Sequence, residues 1–303
     1  MIRPPKFVRR LGGRIFLTFT VTLIVISLLF GFITTHFGSQ LVARSSANEL
    51  RVLSVVLSDL IQNQFSNLEG SIDEIAANEI FLENVVSGTT GHAWFETYLE
   101  AALERNIHLT DLMVYDMSGR CIGATDPDWY KIRGKTWKFF QQGLEGFNFP
   151  SIYGTESMGR VQLVSAPIFK DDDVVGVIVA IVGLKDIYRL MDQKIGLSDN
   201  TDAFLLDSDL RFITAGRTPE KGLVESHLAS TTLASHLRDE FWVGEYDGAH
   251  GQKVLGTALK IPGYSWYVVV ERDYRDVLSQ ITALNRAVMA TILGLLIILF
   301  WRL

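Results

Sequence analysis

Six histidines, one cysteine and a run of three aspartates are the residues in this chain whose types do chemistry, and none stands in a pattern that assembles it. His36, His92, His108, His227, His236 and His250 include no pair four apart and have no cysteine partner, so no helical zinc motif can be drawn through them. Cys121 is alone, which rules out an intrachain disulfide and a thiolate metal site. Flanked by Arg120 and Ile122 in a strand-like stretch, it is expected as a small core residue. Asp171 to Asp173 offer oxygens to calcium, but three residues at a hairpin tip read more simply as a solvated turn. There is neither a Gly-x-Ser-x-Gly elbow nor a phosphate loop. The chain is therefore not expected to be an enzyme, and no cofactor or metal is expected; an anchored hydrolase is the weakest of the readings kept.

The elements that organise the chain are easier to see. Ile15 to Ile33 is a run of about 19 residues without a charge, long enough to cross a hydrocarbon core. Ala287 to Trp301 is a second, shorter run, and a span drawn from Ala283 carries Asn285 and Arg286 at its outer interface, where snorkelling accommodates them. Arg3, Lys6, Arg9, Arg10 and Arg14 precede the first run and Arg302 follows the second, so both ends are expected in the cytoplasm of a bacterial inner-membrane protein, with the middle periplasmic. The first run is longer than a signal-peptide core and flows into a helical pattern, which favours an uncleaved anchor. Removing those six basic residues from the net charge of −6 leaves −12 on the segment between the spans. An acidic face of that size argues against nucleic acid or anionic lipid as a partner, and no nucleic acid is expected. With 48% hydrophobic and 20% charged residues, the composition is that of a folded protein, not a disordered one.

No proline occurs between Pro5 and Pro127, and apolar residues recur at three and four through Leu50, Leu53, Leu57, Ile61, Phe65, Leu68, Ile72 and Ile75. A stalk helix continuing from the first span is expected, its stripe facing either a sister helix or its own domain. Beyond it the period changes to two. Residues Asp111 to Asp126 read as strand, turn at Asp116 to Gly119, strand; Thr201 to Gly216 repeat the plan with a turn at Asp207 to Asp209 and Arg211 in the place of Arg120. Each is followed by a second hairpin, turning at Asp171 to Asp173 and at Pro262 and Gly263, and then by an amphipathic stretch. Two similar α+β modules in tandem are expected.

This order, together with Gly134 to Gly146 (GKTWKFFQQGLEG) and Ala166 to Leu184 (APIFKDDDVVGVIVAIVGL), resembles the double Cache sensor domain of bacterial receptors. The resemblance implies an α+β fold: a long N-terminal helix followed by two PAS-like antiparallel-sheet modules, flanked by two transmembrane helices. In this chain the parts are a basic tail at 1–14, transmembrane helix at 15–38, stalk helix at 39–88, membrane-distal module at 89–192, membrane-proximal module at 193–282 and second transmembrane helix at 283–303. It implies ligand sensing, with a histidine kinase, diguanylate cyclase or phosphodiesterase, or chemotaxis signaller expected beyond Leu303. It places a ligand cup in the distal module on Trp129, Tyr130, Arg133, Lys135, Trp137 and Phe139, with Phe140 beside them and Tyr153 on a facing strand. A cationic head between aromatic walls suits a small anionic ligand. Amino-acid-binding members carry an aspartate on the last strand of that sheet, where this chain has Ile181, so a free amino acid is disfavoured. A homodimer through the stalk and membrane helices is the expected assembly. A module docking a periplasmic protein is the alternative function.

Overall fold

The computed structural model describes residues 6–88, 93–149, 153–155, 159–183, 185–192, 200–214, 227–248 and 250–301. The chain opens with helix α1, Lys6–Ala76. Among the described residues it contains the one helix apolar and long enough to cross a membrane, over Val21–Ala76. The stripe expected on the stalk is buried: Leu50, Leu57, Ile61 and Phe65 enter one core, and Leu68, Ile72 and Ile75 enter another. Of the two faces the stripe could have met, it therefore lies on its own modules.

The stalk differs from the expected single helix to residue 88. It breaks at Ala77, and Asn78 caps a separate helix α2, Glu79–Ser87, by accepting the Phe81 N–H at 3.0 Å. An asparagine competes for the backbone in this way, and the new helix points its own apolar residues, Phe81 and Val85, into the same core as Ile72 and Ile75. Helix α3, Ala93–Arg105, follows, and Tyr98 donates its hydroxyl proton to the Ile75 carbonyl, satisfying one of the orphan acceptors at the end of α1.

The distal sheet is built from β1 (Leu109–Asp116), β2 (Cys121–Ala124), β3 (Tyr153–Thr155), β4 (Gly159–Lys170) and β5 (Asp173–Gly183), in the order β2-β1-β5-β4-β3, with helix α4 (Lys138–Glu145) inserted after β2. Strand β5 is apolar almost throughout because it is central and covered on both faces. Ile178, Ala180 and Val182 face α1, α2 and α3, whereas Val177, Val179 and Ile181 face α4. The β4–β5 turn falls where expected, with Asp171 and Asp172 in the left-handed region at φ 51° and 68°.

Helix α5 (Lys185–Asp192) leads to the proximal sheet of β6 (Thr201–Asp207), β7 (Phe241–Asp247), β8 (Lys253–Lys260) and β9 (Trp266–Asp273), in the order β6-β9-β8-β7, with helix α6 (Thr231–His236) before β7. Helix α7, Tyr274–Trp301, closes the chain and packs beside α1. The two sheets share one plan. A bridge from Leu206 to Phe212 supplies the proximal counterpart of β2. In both first hairpins an aspartate carboxylate grips the turn: Asp116 Oδ1 accepts the N–H groups of Ser118 and Arg120, and Asp207 Oδ1 accepts those of Asp209 and Arg211. A threonine repeats too, as Thr125 Oγ1 accepts the Leu112 N–H and Thr214 Oγ1 the Leu205 N–H. The fold is thus the α+β arrangement the sequence indicated.

Candidate functional site

The face of the distal sheet turned away from α1 is covered by the segment from β2 to α4. Two short 3-10 turns, Pro127–Lys131 and Gly134–Thr136, carry the chain across it. Asp126 caps the first turn by accepting the Asp128 N–H at 2.9 Å. The second is fixed by two glycines. The Gly134 N–H donates to the Gly119 carbonyl at 2.8 Å, and a Cβ on Gly119, whose φ is 77°, would stand 2.5 Å from the Lys135 nitrogen. The Gly-Lys pair seen in the sequence is therefore a backbone clasp on the β1–β2 turn.

Within this cover the expected site residues divide by depth. Phe139 and Phe140 are fully buried, with Phe139 at 5.7 Å and Phe140 at 6.1 Å from the Tyr115 ring, in a cluster with Met113, Leu163, Val177, Val179 and Ile181. They form the floor. Trp129 and Tyr130 are half-buried against that floor. Arg133, Lys135 and Trp137 are exposed. The head groups of Arg133 and Lys135 make no hydrogen bond or ion pair among the described residues, whereas the Trp137 ring lies tilted at 5.9 Å from Phe139. Tyr153 is placed on edge strand β3 opposite Val161, with β4 and β5 between it and β1. The structure gathers Trp129 and Tyr130 over Phe139, and holds the cations at the rim.

Polar groups along the edge of this face escaped the sequence reading. Tyr130 donates its hydroxyl to Glu96 of α3 at 2.9 Å and accepts the Ala124 N–H at 3.2 Å. Burial, reinforced by Glu96, pushes its phenol up to about 12. Asp111 lies directly across β1 and β5 from Ile181 and accepts the Thr125 hydroxyl at 2.9 Å. Burial holds this carboxyl above its ordinary value, with Asp126 adding to the rise and Thr125 opposing it. A carboxylate is therefore present beside the position where the sequence showed only isoleucine. Its counterpart in the proximal module is Asp202, in register with Glu271, and the repeated Thr-Asp of Thr110-Asp111 and Thr201-Asp202 is the signal that marks it. The indole Nε1 of Trp129 is buried and has no hydrogen-bond partner. Cys121 sits in the same floor, its thiol pushed up to about 12 by burial, as a core residue.

The family model for the Cache domain matches residues 39–281. The chain belongs to the Cache family. Solved Cache-like structures show the same architecture. The sensory domain of the Campylobacter jejuni chemoreceptor Tlp3 with isoleucine bound is 14% identical and has a TM-score of 0.59, covering 80% of this chain and 98% of that one. The ligand-binding domain of the Pseudomonas fluorescens chemoreceptor CtaA, in complex with L-isoleucine, is 16% identical, with a TM-score of 0.57 and coverage of 80% and 98%. The extracellular domain of rpHK1S-Z16, a protein assigned as a histidine kinase, is 18% identical, with a TM-score of 0.58 and coverage of 78% and 98%. At these identities the likeness establishes the shared Cache fold. No curated protein sequence matches the chain.

Proposed function

We propose that this Cache protein is the extracytoplasmic ligand-sensing part of a transmembrane receptor and that its ligand binds in the distal cup. The observation that carries the reading is the buried, unpartnered indole N–H of Trp129, under a rim whose two cations, Arg133 and Lys135, also lack protein partners among the described residues. An orphaned buried donor costs roughly 1–3 kcal/mol, which a ligand acceptor recovers. The ligand is a small molecule with an anionic group: that group meets Arg133, with Trp129 and Tyr130 as walls, and Asp111 receives any cationic end. Two similar sensory domains have isoleucine bound, which fits a molecule carrying both charges.

The apolar part of α1 anchors the chain in a bacterial inner membrane, and α7 returns beside it as a second span, leaving both modules in the periplasm. α1 and α7 also provide the seam of a homodimer and the path to a cytoplasmic kinase, cyclase or chemotaxis output. The test is a thermal-shift screen of the whole chain in nanodiscs against acetate, L-lactate, succinate, L-isoleucine and L-asparagine. A ligand at a hundred times its Kd adds about 2.7 kcal/mol. Arg133→Ala should lose about 1.5–3 kcal/mol of that binding while leaving the melting temperature of the empty protein unchanged. If no small molecule shifts the melt, the protein-docking reading replaces this one.

A further inference from the structure

A cleft of about 720 Å³ lies between the two modules, and it is not the distal cup. One wall is α1, with Gln62, Ser66 and Glu69; the second comes from α4 and the segment after it; the third from the β6 and β8–β9 turns of the proximal module. Most of its lining is polar, with aromatic side chains among it. Phe149, Tyr264 and Trp266 line it, with Phe149 and Tyr264 5.0 Å apart and both within 4.7 Å of the buried Phe65 ring behind them.

The charges around it are Glu69, Lys138, Asp207, Asp209 and Arg211. Two of these are occupied: Asp207 grips the N–H groups of its own turn, and Arg211 donates Nε–H to His227 at 3.1 Å. Among the described residues Glu69 makes neither an ion pair nor a hydrogen bond. Glu69 is unpaired although Lys138 also lines the cleft, and a carboxylate in the same cleft as aromatic rings is an arrangement that recognises an ammonium group, which the rings attract through their quadrupoles and the carboxylate through its charge. Burial, with Asp73 one turn away, holds the Glu69 carboxyl above its ordinary value, and a cation placed beside it would lower it again. Tyr264 is pushed up to about 12 by burial and by the same carboxylate, which places the two side chains in one field. The buried amide oxygen of Gln142, which also lacks a hydrogen-bond partner, stands on the opposite wall as an acceptor for a ligand N–H or O–H.

We propose that this inter-module cleft is a second ligand site, separate from the distal cup, and that it takes a small organic ammonium ion with Glu69 as counter-ion and Tyr264 and Phe149 as its aromatic wall. The site does not rest on the function assigned to the distal cup. Its three walls belong to the stalk, the distal module and the proximal module, so an occupant contacts all three.

The experiment uses the whole chain in nanodiscs at constant ionic strength and follows intrinsic fluorescence, which Trp266 at the cleft reports. Choline and tetramethylammonium are titrated beside 3,3-dimethyl-1-butanol, the uncharged carbon isostere of choline. Both cations should give saturable changes, and the isostere should bind at least about tenfold more weakly. Glu69→Gln and Tyr264→Leu should each weaken choline about tenfold, Tyr264→Phe should stay within about threefold, and Arg133→Ala should change nothing. Melting curves of Glu69→Gln and Tyr264→Phe confirm that the variants fold. Equal binding of the isostere, unchanged affinity in Glu69→Gln, loss of choline binding in Arg133→Ala, or no saturation with either cation would each overturn the proposal.

Discussion

Replacing Tyr246 by phenylalanine isolates one buried polar contact in the proximal module. Tyr246 and Glu271 are 3% and 2% exposed, and the phenol donates to Glu271 Oε2 at 2.6 Å. Burial first, and then the charge of Glu271, hold this phenol well above its ordinary value, so it remains a donor at any physiological pH. The substitution keeps the ring, and therefore its packing against Trp242 at 5.8 Å, and removes the phenol proton that Glu271 Oε2 accepts, leaving Glu271 its other contact. Hydrogen bonds to a charged group contribute about 1.5–3 kcal/mol, and the carboxylate stays buried in the variant, so the upper half of that range applies. A loss of about 2–3 kcal/mol lowers the melting temperature by about 3–5 °C in a protein of this size. Urea unfolding of the whole chain, followed by circular dichroism, reads the change directly, with Tyr267→Phe as the comparison. Tyr267 is also buried and donates to the Leu237 carbonyl, a neutral acceptor, and its loss should cost about 1 kcal/mol. If Tyr246→Phe is no more destabilising than Tyr267→Phe, the argument that Glu271 depends on this donor is wrong.

Three further outcomes follow from the same geometry. Burial alone raises the Asp116 carboxyl, but hydrogen bonds from Ser118 and Arg120 outweigh it and leave the group below its ordinary value; its stabilisation is therefore present above the ordinary aspartate range and lost as pH falls through the lowered value, and Asp116→Asn, costing about 1 kcal/mol at neutral pH, should flatten that acid limb in unfolding titrations. Gly123→Ala places a methyl 1.9 Å from the Phe95 ring, an overlap no side-chain adjustment of tenths of an ångström relieves, so about 2–3 kcal/mol should be lost in the distal module and recovered in part by Gly123→Ala combined with Phe95→Leu. Ser54 is fully buried in mid-α1 and donates to the Arg51 carbonyl at 2.9 Å; Ser54→Pro should cost about 3 kcal/mol or more by urea unfolding, and in a receptor with a kinase output it should abolish ligand-dependent phosphorylation, whereas unchanged output would exclude α1 as the path.

Local and periodic features were legible in the sequence because they are written in neighbouring residues. The stripe from Leu50 to Ile75, the turns at Asp116, Asp171 and Asp207, and the duplicated hairpins all stand where the spacing put them. The break at Asn78 was less visible, since an asparagine inside an apolar period reads as a solvent-facing position until its side chain is seen capping Phe81. The segment covering the distal sheet was legible as a segment but not as a depth profile. Phe139 and Trp137 look alike in sequence, yet one is floor and the other rim, because the Gly119–Gly134 clasp decides how the cover lies on the sheet. Asp111, marked only by the repeated Thr-Asp, and Glu96 and the inter-module cleft, marked by nothing local, were missed for a different reason. Each depends on residues far apart in the chain, as in the pairing of Asp111 with Ile181 or of Tyr130 with Glu96.

Phe149 packs against both core clusters: the one under the distal sheet, and the one around Phe65, Tyr264 and Trp266 in the proximal module. Its ring centroid is 4.3 Å from Phe65, 5.0 Å from Tyr264 and 6.3 Å from Trp266. One side chain thus belongs to two hydrophobic cores at once, and neither module can melt without uncovering part of the other. Helix α1 joins the same two cores, with Leu50, Leu57, Ile61 and Phe65 in one and Leu68, Ile72 and Ile75 in the other, so a coupled transition of both modules, not two independent ones, is the expected outcome of an unfolding measurement. A tandem repeat joined in that way behaves less like two beads on a string than like one body with a seam.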